Sequence, residues 1–457
     1  MKKISYLNAL LAILLLSGCS IGRDYARPET AAPTAYSQPT PEAEINVEHW
    51  IELYDDAILA QLVKRAREHN HNIAALYQRT LQSRAIIDRE RAERRPQLNA
   101  DGSYSRTQES EELGFSGDAD DFYSGGLTLG WEIDLFGRVS RLVEAAKADA
   151  LATEAAYQDL LLVTETDVAI NYYRLRALER EIEAVKRSVE TRRQSLDIVR
   201  KRFESGIVSD LDVAQSETLL ADSEAEMFAL LRSRDAREHA IAVLTGQPAP
   251  DFNLEVTALT GAPVDAPVGL PSALLQRRPD LRQAEFALQA SNARVGVANA
   301  NFFPRITIGG DAGYAALDAG DWFQNTAGFY SIGPQISLPI FQGGRLRAEL
   351  NRSEATYAES LELYKQAILE AFAEVEDALS GWRYLSVQRA ARERAASAAA
   401  RAQSISDKQY QSGLVDFISA LDSERVALDA ERRLAQVIGD EYENSIRLIR
   451  SVGGSWE

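Results

Sequence analysis

A helix meets a strand in the stretch "NANFFPRITIGG", residues 299–310. The residues before it are typical of a helix, Pro304 forbids that helix to continue, and the residues after it alternate like a strand. The stretch "AERRPQLNADGS", residues 92–103, repeats this arrangement around Pro96. The sequence therefore predicts two points at which a helix turns directly into a strand.

Four stretches alternate apolar and polar residues over about ten positions each, at about 97–107, 123–136, 304–315 and 329–341. One apolar face, one polar face and aromatic ends match transmembrane barrel strands, although an ordinary sheet with one wet face gives the same pattern. Four strands cannot close a barrel, because about eight is the minimum. We expect a membrane-spanning form to be a trimer with about twelve strands, since a dimer with about eight leaves little room for transport.

Long helices are predicted where glycine and proline are scarce. Residues 138–205 contain neither, and Gly381 is the single interruption in residues 345–412. Returning helices of about half that length are expected at 209–245 and 416–452, with shorter helical segments at about 57–94 and 271–302 beside the long ones. Helices of this length indicate an elongated bundle or coiled coil rather than a compact enzyme core.

The chain contains an internal repeat. Residues 202–217 match residues 409–424 with a shift of 207 positions, and glycines stand at corresponding places, Gly206 and Gly413. Each of these glycines is expected to end one long helix and start another, which forms a hairpin tip. The repeat predicts a first half at 45–246, a linker at 247–270 and a second half at 271–454.

The N-terminus predicts export and a lipid anchor. Residues 1–18 have two lysines and a short apolar run, as in a secretory signal peptide, and Leu16-Ser17-Gly18-Cys19 looks like a bacterial lipobox. That resemblance implies cleavage before Cys19 and acylation, including palmitate, of this single cysteine, which anchors stably through several chains. Residues 19–44 are then the anchor and an extended, proline-containing tether.

Composition argues against two other classes of protein. Removal of the signal peptide changes the formal net charge from −18 to −20, and an acidic chain is a poor ligand for nucleic acid. The four histidines form no H-E-x-x-H motif, and no G-x-S-x-G motif or P-loop is present. We expect no enzyme activity, no cofactor and no metal site, and we interpret the acidic residues 109–121 as a solvated external loop. A non-transporting coiled-coil surface lipoprotein remains an alternative, although it leaves the four strands unexplained.

The segment 277–310 closely resembles the TolC-like outer membrane factors, in particular their lipoprotein branch. The resemblance rests on Arg277-Arg278-Pro279-Asp280, an Ala-rich helix and Phe302-Phe303-Pro304, and the repeat and the lipobox extend it over nearly the whole chain. It implies a mainly α-helical trimer whose transmembrane β-barrel of twelve strands continues into a periplasmic α-helical barrel. It also implies an outer membrane efflux duct for small molecules such as drugs, with type I protein secretion as an alternative. The implied partners are a periplasmic adaptor (membrane fusion) protein and an inner-membrane pump of the resistance-nodulation-division type.

The family's adaptor-contacting tips fall on two short stretches of this sequence. A helix C-cap with a hydrophobic contact explains the two glycines equally well, whereas small apolar residues at an exposed tip favour the contact role. The residues are Gly206, Ile207, Val208, Gly413, Leu414 and Val415.

The family's periplasmic gate falls next to the second tip. Ile418, Asp422 and Arg425 share one helix face, so three copies of Asp422 around an axis would form a negative ring, with Ile418 as a hydrophobic constriction. An ordinary surface pair between Asp422 and Arg425 is the alternative. Asp212 stands one turn past the first tip and is a candidate for a second ring, although the other repeat has Ser419 there.

Charged residues in the polar positions of the strands are candidates for the pore lining. Four acids against one arginine predict a pore with a mild preference for cations. The residues are Asp101, Glu132, Asp134 and Asp311, with Arg305.

Overall fold

The structure is a computed structural model that describes residues 21–29, 33–40, 50–110, 112, 118–257, 259, 263 and 277–454. The chain divides into two compact units. The sheet unit contains residues up to 30, 78–154 and 283–366, and the tip unit contains residues 31–77, 155–282 and 367–457. Cys19 and residues 1–18 lie outside the described residues.

Helices dominate the described chain, which confirms the expected mainly α-helical class with a small β part. They are α1 (Ala57–His69), α2 (His71–Ala92), α3 (Arg138–Glu204), α4 (Asp210–Leu244), α5 (Pro279–Ala300), α6 (Arg345–Gln411) and α7 (Phe417–Ser451), with short 3-10 turns at Glu52–Tyr54, Ala249–Asp251 and Asn325–Ala327. The limits of the four long helices, α3, α4, α6 and α7, lie within one residue of those expected from the sequence. None of the helices in the described part has the length and apolar character needed to cross a membrane.

The sheet unit holds one antiparallel sheet with the strand order β1-β2-β3-β4. The strands are β1 (Gln97–Gln108), β2 (Ala119–Ile133), β3 (Arg305–Ala316) and β4 (Gly328–Ser337). Pro96 and Pro304 directly precede β1 and β3, and only four residues separate each strand from the helix before it. The helix-to-strand junctions expected around these two prolines are therefore present.

Three strand limits differ from the expected ones by three or four residues, and one of them is the end of β2 at Ile133 instead of residue 136. β2 begins at Ala119 because its first residues pair with the end of β1, so residues 119–121 of the expected acidic loop are part of the sheet. β4 ends at Ser337, two residues before Pro339, which has no N–H to donate to a neighbouring strand. Residues 111 and 113–117 of the acidic stretch lie outside the described part of the chain.

The helical segment expected at 57–94 is in fact two helices that meet at Asn70. The Asn70 side chain accepts hydrogen bonds from the backbone N–H groups of Asn72 (2.8 Å) and Ile73 (3.1 Å), which caps α2. Its amide also donates to the Leu244 carbonyl at the end of α4 (2.9 Å). One buried asparagine thus ends α1, starts α2 and holds the end of α4, and the expectation of a single helix was wrong.

The core of the tip unit is a cluster of aliphatic and aromatic side chains. Trp50, Leu59, Ile446 and Leu448 are completely buried in it. Each fully buried large aliphatic side chain contributes about 1.5–3 kcal/mol of hydrophobic stabilisation. Packing in the tip unit favours glycine at position 381, because a Cβ at that position would lie 2.0 Å from the Asn444 side chain.

Candidate contact, gate and pore-lining residues

The first hairpin tip is a helix C-terminus closed by glycine. Gly206 adopts a left-handed backbone (φ 71°) and donates to the Phe203 carbonyl (2.8 Å), while Ile207 donates to the Arg202 carbonyl (2.9 Å). This pair of bonds is a Schellman motif, which satisfies two carbonyls that the helix end would leave unpaired. Ile207 is 71% exposed, and Val208 follows it with partial burial.

The second tip repeats this geometry. Gly413 has φ 70° and donates to the Tyr410 carbonyl (3.0 Å), and Leu414 donates to the Gln409 carbonyl (2.9 Å). Leu414 is 75% exposed, and Val415 is half-buried. Each tip is therefore a helix cap, which is one of the two interpretations of the glycines, and each also exposes an apolar side chain, while the adaptor contact stays a prediction.

The serine and the aspartate that cap the returning helices exchange positions between the two tips. At the first tip, one carboxylate oxygen of Asp212 accepts from the Ser209 backbone N–H (2.8 Å) and hydroxyl (2.7 Å). At the second tip, Asp416 is the cap residue and accepts from the Ser419 backbone N–H (2.8 Å). These hydrogen bonds hold the pKa of Asp212 and of Asp416 below the usual range for an aspartate. The capping contact alone accounts for Asp212, so a second charged ring is not required to explain it.

The gate candidates lie on the surface of α7. Ile418 is 54% exposed, and Asp422 forms an ion pair with Arg425 at 2.7 Å on the same helix. The pair is the alternative that the sequence left open for these two residues. An exposed pair of this kind contributes little stability.

Sequence reasoning missed a buried ionic cluster that joins the two hairpins within the tip unit. Glu424 on α7 accepts from Arg192 (3.1 Å) and from the Ser188 hydroxyl (2.9 Å) on α3. Arg192 and Glu424 are each only 8% exposed. Breaking such a pair by removing one partner typically costs about 3–5 kcal/mol, because the other charge stays buried.

The internal repeat contained a signal for this cluster. Glu217 and Glu424 are equivalent, and Glu217 pairs with Arg200 of its own hairpin at 2.7 Å. The residue equivalent to Arg200 in the second hairpin is Asp407, an acid. Glu424 therefore lacks a basic partner in its own hairpin and takes one from the first hairpin.

We expect Asp407→Asn to stabilise the tip unit at neutral pH. Burial, and then the nearby Glu424, raises the pKa of Asp407 above its usual value. Because the pKa is higher in the folded protein, ionisation of Asp407 lowers the free energy of unfolding above that pKa. This destabilisation disappears as the pH falls through the normal aspartate range, near about 4. Apparent melting temperatures should rise in the variant at pH 7 and coincide with wild type at about pH 3.5. A variant that melts lower at pH 7 would show that the charge of Asp407 is stabilising.

The sheet register sorts the side chains onto two faces. Directly opposed residues share a face, and one row of opposed residues is Leu98, Leu129, Gly310 and Ile332, while the next row is Asn99, Thr128, Asp311 and Ser331. Apolar and polar rows alternate in this way through the part of the sheet nearest the helices. The expected pore-lining residues Asp101, Glu132, Arg305 and Asp311 all fall on the polar face.

Two of the expected pore-lining acids are engaged in local structure. Asp134 lies one residue beyond β2, and its two oxygens accept from the backbone N–H groups of Val139 (2.9 Å) and Ser140 (2.7 Å) at the start of α3. It caps the start of α3 and is not a strand residue, which corrects its placement within β2, while its role in a pore lining stays a prediction. Glu132 accepts two bonds from Arg138, both at 2.8 Å.

The remaining acids on the polar face have no ion-pair partner. Asp101 accepts a hydrogen bond from the Thr128 hydroxyl (3.0 Å), and the Asp311 side chain makes no hydrogen bond or ion pair within the described chain. Among the described residues, no three His, Cys, Asp or Glu side chains lie together as a metal site would require.

Comparisons with known proteins agree on one family. The family described as outer membrane efflux protein matches residues 62–247 and 270–454. The chain is 32% identical to the solvent efflux pump outer membrane protein SrpC of Pseudomonas putida, over 98% of this chain and 97% of the relative. It is 29% identical to the cation efflux system protein CusC of Escherichia coli, over 97% of each chain. Among solved structures, the outer-membrane channel OprN is similar with a TM-score of 0.87 at 30% identity, covering 96% of this chain and 100% of the other.

Proposed function

This chain belongs to the outer membrane efflux protein family, and from that premise we propose that three copies form the outer membrane duct of a tripartite efflux system. The observation that carries the proposal is the sheet, which has one apolar face, one polar face and two open edges. Among the residues that the structure describes, β1 pairs only with β2, and β4 pairs only with β3. Backbone groups at an open edge cannot remain unpaired in lipid, so β1 and β4 must pair with other copies of the chain. Three copies give about twelve strands, enough for a barrel with an open lumen.

The N-terminal segment supports a lipid anchor on Cys19 at the helix end of the sheet. Ile21, two residues after Cys19, donates to the Phe136 carbonyl just beyond β2 (3.3 Å). Arg141 holds the same segment through Asp24 (2.9 Å) and the Gly22 carbonyl (3.3 Å). A lipid on Cys19 would then enter the outer membrane close to the periplasmic ends of the strands.

The exposed Ile207 and Leu414 support contact between the tips and a periplasmic adaptor protein. We infer from family membership that this adaptor connects the duct to an inner-membrane pump, of the resistance-nodulation-division type. Small organic molecules such as drugs are the proposed cargo, since SrpC, the more similar of the two curated relatives described above, is named for solvent efflux. On this proposal the chain acts as a passage and not as an enzyme, and the Ile418 and Asp422 face of α7 is the periplasmic gate.

Light scattering and single-channel recording test the duct. We expect the purified protein in detergent to have the mass of three chains and to form channels in planar bilayers. A trimer without channels would favour a non-transporting surface lipoprotein, and rescue of protein secretion instead of drug efflux in cells would favour a type I secretion duct.

The membrane-facing side of the sheet can be tested with two neighbouring residues. Ile332→Arg places a charge on the apolar face of β4, where it should cost about 2–4 kcal/mol in lipid and reduce the amount of protein in the outer membrane. Ser331→Arg places the same charge on the polar face and should leave that amount unchanged. Equal loss in both variants would contradict the assignment of the faces.

The lipid anchor has its own test. Cys19→Ser should abolish incorporation of radiolabelled palmitate and leave the signal peptide attached. Labelling that persists in the variant would contradict lipidation of Cys19, because the chain has no other cysteine.

A further inference from the structure

The charges on the polar face of the sheet and at the helix starts next to it, apart from Asp120 near the loop end of β2, fall into two zones of opposite sign. The first, the seam zone, lies at the helix end of the sheet and consists of Glu132, Arg138, Arg305 and Arg345. The second, the acid zone, lies toward the loops and consists of Asp101 and Asp311. All six residues belong to the sheet unit.

The seam zone has more positive than negative charge. Its four residues line a common polar cavity of about 480 Å³. Glu132 is fully engaged, since Arg138 binds both of its oxygens and the Arg305 guanidinium lies 3.6 Å from one of them. Arg305 is 53% exposed, and the Arg345 guanidinium donates to the Gln342 side chain (3.3 Å). Asp134 also lines the cavity and keeps its negative charge while its oxygens accept hydrogen bonds from the start of α3, so the five charged residues carry three positive and two negative charges.

The acid zone has no neighbouring positive charge on its face. Asp311 stands opposite Thr128, which in turn stands opposite Asn99. Asp101 is two rows further from the helices, in the next row of the polar face, opposite Gly126. Arg106 lies nearby in sequence, but it is on the opposite face, where it forms an ion pair with Asp121 (3.8 Å).

A row of three glycines, with Gln97 on β1, separates the two zones. Gly130, Gly309 and Gly333 are directly opposed across β2, β3 and β4. A Cβ at any of these three positions would meet nothing within 4 Å, so packing does not require glycine there. Arg305 and Asp311 are six residues apart on β3, or about 20 Å at 3.4 Å per residue. This separation is about twice the Debye length of about 10 Å at 0.1 M salt, so each zone acts on ions separately.

We propose that these two zones make the pore rectify, so that it passes more current at one polarity than at the other. The proposal rests on the trimeric duct described above, in which the polar face lines the lumen. The acid zone then carries six carboxylates that admit small cations, and the three copies of Arg305 admit small anions at the other end. One polarity drives cations from the acid zone and anions from the seam zone toward the glycine row, where both accumulate. The opposite polarity draws both away and lowers the conductance.

Single-channel recording with the full-length protein tests this layout. In 0.1 M KCl on both sides, the larger current at ±100 mV should exceed the smaller by at least about half. In 1 M KCl, where the Debye length is about 3 Å, the two currents should be nearly equal. R305Q and the double variant D101N/D311N should each give nearly equal currents in 0.1 M KCl.

Arg106→Gln is the matched control, because it removes an arginine from the same sheet on the face away from the lumen. It should keep the asymmetry of the wild type. Conducting channels whose current ratio is the same in wild type, R305Q and D101N/D311N would overturn the inference. A wild-type trimer without any conductance would instead overturn the proposed duct, and the inference with it.

Discussion

Replacing Ile207 and Leu414 together with aspartate should abolish efflux in cells while leaving a conducting trimer. Both side chains are more than two-thirds exposed at the hairpin tips, so the fold of a single chain does not depend on them. Three chains would present six new carboxylates to the adaptor. Each of these charges would lose water on contact, at a cost of several kcal/mol. A strain that carries the double variant should accumulate a fluorescent efflux dye to the level of a strain without the protein.

The matched control for the tip variant is Val256→Asp. Val256 lies outside the helices and is 70% exposed, close to the values at the tips. This change should leave dye efflux unaffected. Both proteins should remain trimeric and conducting after purification. Normal efflux by the Ile207→Asp/Leu414→Asp variant would contradict an adaptor contact at the tips.

Replacing Gly246 with alanine should destabilise the protein more than Gly206→Ala, the other glycine-to-alanine change that we propose. Gly246 has φ 70°, and a Cβ there would lie 2.2 Å from the His69 carbonyl oxygen, which is backbone at the end of α1. The left-handed conformation alone costs about 1–2 kcal/mol for an L-residue. Because the backbone clash cannot be relieved by a side-chain rotation, we expect a total above about 4 kcal/mol.

Gly206→Ala is the control for this prediction. Gly206 has nearly the same conformation, φ 71°, but a Cβ there would meet nothing within 4 Å. The control should therefore show only the conformational cost. Apparent melting temperatures in detergent, measured at one scan rate, should fall by a small amount for Gly206→Ala and by a much larger amount for Gly246→Ala. Similar shifts would show that the contact with His69 does not govern the packing of this junction.

Local sequence patterns were sufficient to predict a structural feature where one physical effect determined that feature. Pro96 and Pro304 mark the helix ends because proline removes an N–H and clashes with the preceding turn. The alternation of apolar and polar residues with a period of two predicted the polar face correctly, because a shift of one residue would place every side chain on the opposite face. The long helices were equally predictable, because glycine and proline are absent or rare over their length.

Local patterns failed where the partner of a side chain comes from another element. Asn70 looks unremarkable within a helical stretch, yet it divides α1 from α2 because its side chain bonds Ile73 and the distant Leu244. Asp134 fits the alternation of a strand, but the start of α3 uses both of its oxygens. In both cases a hydrogen bond to a specific neighbour outweighed the periodic preference.

The sequence by itself determined the four long helices, the presence of four strands, the two faces of the sheet and the glycine tips, because each follows from residues close together in the chain. Only the tertiary structure decided which charges are free. Glu132 and Asp134 are engaged by Arg138 and by the start of α3, whereas Asp101 and Asp311 have no ion-pair partner in the described chain. The physical reason is that whether a carboxylate is paired depends on which distant groups the fold brings within hydrogen-bonding distance.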